Sequence, residues 1–290
     1  MLDAVLILPS TIPFDSRRMN HRPTILVFDS GLGGLTVFRE VLKARPDASY
    51  VYVADDAFFP YGRFSEAELA GRVVPLMADL IAAHAPDLAV IACNTASTLV
   101  LPHLRARFAM PFVGTVPAVK PACAASRSRL VSVLGTEATV QREYTRALIR
   151  DFGQGCDVTL VGAAHLAGIA EAALRNEAAD DSAIAREIAP CFVTEGGRRT
   201  DTVVLACTHY PLLLDRLERL APWPVNWIDP APAIARRVTD LVGVPPSGAP
   251  GGSARIMFTS GKAPTPVLAA ALAQFGLVHT SEIAFAASGT

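Results

Sequence analysis

The chain has no surplus of basic residues, because 26 Lys and Arg stand against 27 Asp and Glu for a formal net charge of -1. A dedicated nucleic-acid-binding protein usually carries a basic excess, so we predict no nucleic-acid partner. Charged residues are also few, at 18% against 51% hydrophobic residues, which excludes global disorder and predicts a packed core. No apolar run approaches the roughly 18 residues of a membrane span, so we predict no membrane helix.

Cysteine is scarce as well. Five cysteines in 290 residues are too few for a disulfide framework, and none falls in a C-x-x-C pair, so a redox dithiol or a zinc ribbon has little support. Reduced thiols suit a cytoplasmic protein. The acidic pair Asp55-Asp56 lacks an accompanying acidic or histidine cluster, and we predict no metal site. Gly31-Leu-Gly-Gly34 fails the G-x-G-x-x-G spacing, which indicates a tight turn and an anion site rather than a dinucleotide site.

Apolar, strand-like runs alternate with helical patterns along the chain. A helix is predicted over 66–84, and the strand-like runs are 24–28, 49–54, 88–92, 112–114, 130–134, 158–161, 203–206 and 226–228. Near-continuous apolar strands predict an α/β fold with open, mostly parallel sheets and helices on both faces. Roughly fifteen elements suit two sheets better than one. Residues 1–22 lack this periodicity and the basic start of a secretory signal, and we interpret them as an N-terminal extension.

One stretch of sequence occurs twice. Asp87-Leu-Ala-Val-Ile-Ala-Cys93 and Asp201-Thr-Val-Val-Leu-Ala-Cys207 share one frame, about a domain length apart. A chance match is open, but a duplicated domain explains the frame better. Open parallel sheets bind ligands at the carboxyl ends of their strands, so Cys93 and Cys207 would approach one cleft between two domains from opposite sides.

Two opposed thiols suggest a specific reaction. One thiolate removes a proton from a stereocentre, and the thiol opposite delivers a proton to the other face, which inverts the centre. Most cysteines at strand ends are inert buried residues, and we interpret Cys123, Cys156 and Cys191 in that way. Cys93 and Cys207 differ because polar residues follow each of them, namely Asn94-Thr95 and Thr208-His209.

Four segments together resemble the glutamate racemases of the cofactor-independent aspartate/glutamate racemase family. They are Phe28-Asp-Ser-Gly-Leu-Gly-Gly-Leu35, Phe59-Pro-Tyr-Gly62, Ala92-Cys-Asn-Thr-Ala-Ser97 and Ala206-Cys-Thr-His-Tyr-Pro-Leu212. The resemblance implies two similar α/β domains with glutamate in the cleft between them, no cofactor, and a homodimer. It also implies a role in supplying D-glutamate for peptidoglycan. By the same resemblance, residues 23–114 and 229–290 form one domain and residues 115–228 form the other.

The resemblance also implies roles for individual residues. Cys93 is similar to the base that attacks D-glutamate and Cys207 to the base for L-glutamate. Asp29 and His209 resemble the groups that assist the two thiols, and Glu171 resembles a residue that supports His209. The implied substrate-binding residues are Asp29, Ser30, Pro60, Tyr61, Gly62, Cys93, Asn94, Thr95, Thr136, Thr139, Cys207, Thr208 and His209. The chain departs from the family pattern at Gly135, at Ala163-Ala164 and at Pro230.

Other functions stay open from the sequence. The same chemistry suits a racemase for aspartate or another amino acid. A thiol hydrolase using Cys207 and His209 would not need Cys93, and a binding protein with an inactive site would bind without proton exchange. Arg22-Pro-Thr-Ile-Leu-Val-Phe28 and Ala233-Ile-Ala-Arg-Arg237 resemble a subgroup of the family with such an N-terminal extension, which implies weak basal activity and activation by a muramyl-peptide nucleotide precursor.

Overall fold

The computed structural model describes residues 22–153 and 155–281, so the predicted extension lies outside the described residues except for Arg22. The strands, numbered along the chain, are β1 (Thr24–Asp29), β2 (Ser49–Ala54), β3 (Leu88–Ile91), β4 (Phe112–Gly114), β5 (Leu130–Gly135), β6 (Asp157–Gly162), β7 (Thr194–Glu195), β8 (Arg198–Arg199), β9 (Thr202–Ala206), β10 (Asn226–Ile228), β11 (Ala254–Phe258) and β12 (Val278–His279).

Helices connect most of these strands. They are α1 (Leu35–Ala44), α2 (Glu66–His84), α3 (Asn94–Leu99), α4 (Leu101–Arg107), α5 (Val119–Ala125), α6 (Glu137–Gln141), α7 (Glu143–Phe152), α8 (Leu166–Leu174), α9 (Asp181–Ile188), α10 (Leu214–Leu220), α11 (Ala231–Val242) and α12 (Pro266–Gln274). The predicted helix over 66–84 is confirmed. A capping box starts it: Glu68 N–H donates to Ser65 Oγ at 3.3 Å, and Ser65 N–H donates to Glu68 Oε2 at 2.8 Å.

Ten of the described strands form two parallel sheets, which confirms the predicted α/β class, and β7 and β8 form a separate antiparallel pair. The larger sheet has the order β12-β11-β2-β1-β3-β4 and the smaller sheet the order β10-β9-β5-β6. Every pair of neighbours within these two sheets is parallel. The larger sheet draws its strands from 24–114 and 254–279, and the smaller from 130–228. This membership supports the domain division at residues 114 and 228, which stays a prediction.

The two sheets share one strand arrangement. The order β2-β1-β3-β4 in the larger sheet matches β6-β5-β9-β10 in the smaller. The register matches too, because Ile91 on β3 pairs with Phe28, and Leu205 on β9 pairs with Leu134. The two cysteines therefore occupy equivalent positions, each two residues beyond the paired residue. A duplicated unit accounts for the repeated frame in the sequence.

Both faces of each sheet are covered, so successive residues of a strand enter different hydrophobic clusters. On β1, Ile25 and Val27 pack in one cluster while Leu26 and Phe28 pack in the other. In the smaller sheet, β9 divides its residues between two clusters in the same way. This two-sided burial explains why the strands are continuously apolar in the sequence. In the described part of the chain, no helix has the length and hydropathy of a membrane span.

A buried ion pair joins the ends of α1 and α11. The Arg45 guanidinium is bidentate to Asp47, with Nε–Oδ1 at 2.9 Å and Nη2–Oδ2 at 2.8 Å. Its Nη1 donates to the carbonyls of Val242 and Gly243 at the end of α11, at 2.6 and 2.8 Å. Both charged side chains are almost fully buried. The Arg45 hydrogen bonds outweigh burial and lower the pKa of Asp47.

We expect Arg45→Met to lower the free energy of unfolding at pH 7 by about 3–5 kcal/mol, because it leaves the buried Asp47 carboxylate uncompensated. Arg39→Met is the control, since the half-exposed pair of Arg39 with Glu40 should contribute at most about 1 kcal/mol. Urea unfolding measures both values. Equal values for the two variants would contradict the role of the buried pair.

The same pair has a pH dependence of definite sign. Because the pKa of Asp47 is lowered in the folded state, its stabilisation is present above the unfolded pKa of about 3.9 and is lost as pH falls through the folded pKa. The difference in stability between wild type and Arg45→Met should therefore shrink in strong acid.

Candidate active site

A cavity opens where the carboxyl ends of the two sheets meet, and it has about 360 Å³ of empty space including its mouth to solvent. Its walls are Ser30, Phe59, Pro60, Tyr61, Gly62, Cys93, Asn94, Thr95, Thr136, Thr139, Ala167, Cys207, Thr208 and His209. Every residue predicted to bind substrate is part of this wall except Asp29. Phe59 and Ala167 were not predicted. Phe59 stands inside a motif that the sequence singled out, whereas nothing in the sequence marks Ala167.

The Cys93 thiol lies at the start of α3. It is buried, and the carboxyl group of Asp29 is its charged neighbour. The Ala96 N–H donates to its Sγ at 3.5 Å, and the Ser30 Oγ is 3.5 Å from the same atom. Burial and the nearby Asp29 charge raise the pKa of Cys93 to about 12. In this state Cys93 is a thiol at neutral pH, ready to donate a proton.

Cys207 lies just beyond β9, and its charged neighbour is basic rather than acidic. Its Sγ is 3.7 Å from Nδ1 of His209, whose Nε2 is 3.0 Å from Oε1 of Glu171. Burial disfavours a charged imidazole, but the hydrogen bonds to Cys207 and Glu171 outweigh it and raise the pKa of His209 well above 6.5. A cationic imidazole therefore lies beside the Cys207 sulfur. The Glu171 carboxylate lies against the His209 imidazole, and the supporting role of Glu171 stays a prediction.

Glu171 is held by more than His209. Its Oε1 also accepts the Leu32 N–H at 3.0 Å, and its Oε2 accepts Nη2 of Arg175 at 3.0 Å. Burial raises the pKa of Glu171, but the hydrogen bond to His209 and the other donors lower it overall. The anion site predicted at the turn Gly31–Gly34, called the glycine turn below, thus receives the protein's own carboxylate.

Asp29 is fully buried and does not form part of the cavity wall. Its Oδ2 accepts the Gly34 N–H at 2.9 Å and the Tyr52 hydroxyl at 3.3 Å, while Oδ1 has no hydrogen-bond partner among the described residues. Burial raises the pKa of this carboxyl group. Such a group is suited to exchange a proton with a neighbour. Tyr52 is a contact that sequence reasoning missed.

Asn94 is the cavity residue whose side chain most clearly lacks a partner. It is 3% exposed, and neither Nδ2 nor Oδ1 has a hydrogen-bond partner within the described part of the chain. A buried polar atom without a partner costs about 1–3 kcal/mol, so a ligand with a donor and an acceptor would relieve it. Thr136 and Thr139 bond to each other at 2.9 Å, and the Tyr61 hydroxyl donates to Asp55 at 2.6 Å. The Tyr61 hydroxyl proton is thus already donated to Asp55 and is not free for a ligand.

Metal-ligand clusters are a separate question. Within residues 22–153 and 155–281, no group of three or more His, Cys, Asp or Glu side chains is arranged to hold a metal ion. The five cysteines are all free thiols.

Comparison with known proteins identifies the family. The model of the Asp/Glu/Hydantoin racemase family matches residues 30–238. Glutamate racemase from Brucella ovis is 58% identical over 223 residues, which are 77% of this chain and 80% of that protein. The chain belongs to the Asp/Glu/hydantoin racemase family. This membership confirms the resemblance found in the sequence. Glutamate racemase from Brucella anthropi is 59% identical over the same length.

Solved structures of racemases in this family have the same fold. Escherichia coli glutamate racemase, in complex with L-glutamate and the activator UDP-MurNAc-ala, has a TM-score of 0.79 and 40% identity, over 89% of this chain and 97% of that one. Glutamate racemase isoform RacE1 from Bacillus anthracis has a TM-score of 0.76 at 23% identity, over 90% of this chain and 97% of that one. The second likeness bears on the fold alone.

Replacing Glu171 with Gln should lower the pKa of His209, because the variant removes the buried negative charge that holds the imidazolium. In wild type the stabilisation from charged His209 is present below pH 6.5 and is lost as pH rises through its raised folded pKa. NMR titration of labelled histidine measures the shift. The exposed Glu177→Gln is the matched control and should leave His209 unchanged. A His209 that titrates near 6.5 in wild type would contradict this electrostatic picture.

Proposed function

We propose that the chain acts as a glutamate racemase, interconverting L- and D-glutamate by proton transfer at Cα without a cofactor. The observation that carries this proposal is that Cys93 and Cys207 line one cavity from equivalent positions in the two sheets. Two relatives support the choice of substrate. The Brucella ovis protein, 58% identical, is a glutamate racemase, and the Escherichia coli racemase binds L-glutamate in its crystal structure.

The proposed reaction starts from a Cys207 thiolate and a Cys93 thiol. In the L-to-D direction Cys207 removes the Cα proton and forms an S–H bond, while Cys93 breaks its S–H bond and delivers a proton to the opposite face. The reaction leaves the two protonation states exchanged. D-glutamate then reacts in the reverse direction, or proton exchange with solvent restores the starting state. No net charge is gained or lost.

The neighbours of each thiol fit these two roles. The His209 imidazolium, held by Glu171, would stabilise the Cys207 thiolate before the reaction, and the proton that Cys207 gains leaves in the reverse reaction or by exchange with solvent. Asp29 acts on the opposite side, where its raised pKa suits proton exchange with Cys93. The unpartnered atoms of Asn94 provide one donor and one acceptor for the polar groups of glutamate. Preorganised donors of this kind stabilise the charge that develops on the substrate.

A second candidate is a thiol hydrolase. Cys207, His209 and Glu171 contact one another in that order, with Sγ–Nδ1 at 3.7 Å and Nε2–Oε1 at 3.0 Å. This is the arrangement of a nucleophile, its base and an orienting carboxylate. Such an enzyme forms an acyl-enzyme on Cys207 and makes no use of Cys93. Variants of Cys93 therefore separate the two functions.

Cys93→Ala and Cys207→Ala should each lower racemisation by roughly 10²- to 10⁴-fold, because each removes a general acid or base. L- and D-glutamate have equal free energy in water, so kcat/KM should fall equally in both directions for either variant. Circular dichroism of the glutamate follows the rate. Cys156→Ala, a half-buried cysteine outside the cavity wall, is the control and should keep wild-type activity. An active Cys93→Ala enzyme would overturn the two-thiol proposal.

We propose that a muramyl-peptide nucleotide activates the enzyme. The Escherichia coli structure contains the activator UDP-MurNAc-ala, and this chain is 40% identical to that protein. Arg105 on α4 interacts electrostatically with Arg237 on α11, and separately with Tyr144. Two guanidinium groups whose charges interact would attract a diphosphate.

Adding UDP-MurNAc-L-Ala should raise kcat/KM for glutamate by roughly 5- to 150-fold, the usual range of allosteric coupling. Arg237→Ala should keep the basal rate and lose most of this activation, because it removes one of the two charges for the diphosphate. Arg186→Ala, on the exposed side of α9, should be activated like wild type. The proposal would be wrong if the nucleotide changed the rate neither at low glutamate nor at saturating glutamate.

The biological setting is proposed on the same basis. D-glutamate made in the cytoplasm would supply peptidoglycan synthesis, and the chain would act as a homodimer, as the resemblance to the family implies. A substrate of two carboxylates and an ammonium group fits a cavity that offers hydroxyl, amide and thiol groups.

A further inference from the structure

We propose that the glycine turn is a socket for the His209–Glu171 pair of the opposite sheet, which makes Gly31 and Gly33 positioning residues for Cys207. This inference rests on the proposed racemase function. It assigns the turn a task other than binding a nucleotide or the substrate. It also makes the base at Cys207 depend on contact between two halves of the molecule, one built around the larger sheet and one around the smaller.

Gly33 leaves room for the imidazole. A Cβ atom added at Gly33 would lie 2.3 Å from Nδ1 of His209, 2.6 Å from Cγ and 2.7 Å from Cε1, far inside contact distance. The backbone of Gly33 is not in the left-handed region, so its conformation alone would accept another residue. Glycine is therefore required here by the close approach of the ring.

Gly31 leaves room for the carboxylate. A Cβ at this position would lie 2.3 Å from Oε1 of Glu171, the atom that bonds to His209. Between the two glycines, the Leu32 N–H donates to that same oxygen at 3.0 Å. The turn thus accommodates the imidazole at one residue and the carboxylate at another, and it donates a hydrogen bond to their shared atom.

The rest of the socket also comes from the larger sheet. The Phe59 ring lies against His209, with ring centroids 5.7 Å apart. A second hydrogen bond joins the two halves just after the glycine turn. There, Thr36 Oγ1 donates to the Thr208 carbonyl oxygen at 2.9 Å. His209 and Glu171 belong to elements around the smaller sheet, whereas the turn follows β1 of the larger. His209 is consequently enclosed only when the two halves are in contact.

The test compares Gly33→Ala with Gly168→Ala, a glycine on the same helix as Glu171 with no atom within 4 Å of an added Cβ. We expect Gly33→Ala to displace the imidazole, raise the pH at which iodoacetamide alkylates Cys207, and lower kcat/KM by roughly 10²-fold, as a displacement near 1 Å does. Gly168→Ala should match wild type in the pH of Cys207 alkylation and in kcat/KM. Mass spectrometry of the Cys207 peptide gives the alkylation profile.

A double-mutant cycle distinguishes positioning from a general structural effect. In a His209→Ala background the added methyl group has no ring to meet, so Gly33→Ala should cause little further loss. Equal losses in both backgrounds would overturn the proposal, and so would a wild-type alkylation profile for Gly33→Ala. If Gly33→Ala does not fold, Gly31→Ala tests the same socket through Glu171, with the same predicted shift. Alkylation needs no turnover, so a failure of the proposed racemase function would leave this test intact.

Discussion

The site around Cys207 is organised by one shared oxygen atom. Oε1 of Glu171 lies 3.0 Å from Nε2 of His209 and accepts the Leu32 N–H at 3.0 Å, so a single carboxylate links the smaller sheet to the turn after β1. The imidazole it holds then contacts Cys207. Burial would normally neutralise such a pair, but the hydrogen bonds keep both groups charged. One contact therefore joins the two halves and also holds the imidazole beside Cys207.

Duplication gives the site two equivalent thiols, and their neighbours make them different. Cys93 and Cys207 follow matching strands in matching register. Around Cys93, burial and the Asp29 charge favour the thiol. Cys207 instead has the cationic His209 imidazole beside it, with Nδ1 3.7 Å from its Sγ. Two-base chemistry needs one proton donor and one proton acceptor at the same time, and this difference in electrostatics provides it without a metal or cofactor in the proposed mechanism.

Much of this could be predicted from the sequence because the signals are local or repeated. Continuous apolar runs indicated buried parallel strands, and the shared frame around Cys93 and Cys207 indicated a duplicated unit. The turn's contact with Glu171 could not be predicted, since it joins residues 139 positions apart and leaves no periodicity in either segment. For the same reason the contact of the Phe59 ring with His209 could not be predicted. The roles of the site residues and the division into domains stay predictions.

The measurement that tests the two-thiol mechanism most directly is the location of deuterium early in the reaction. L-glutamate is incubated with the enzyme in D₂O, the reaction is stopped after a small fraction has converted, and the two enantiomers are separated for mass spectrometry. Two thiols on opposite faces predict D-glutamate fully deuterated at Cα and remaining L-glutamate still protiated, because the removed proton and the delivered deuteron belong to different groups. Equal deuterium in both enantiomers would contradict two-base racemisation and indicate a single base that serves both faces.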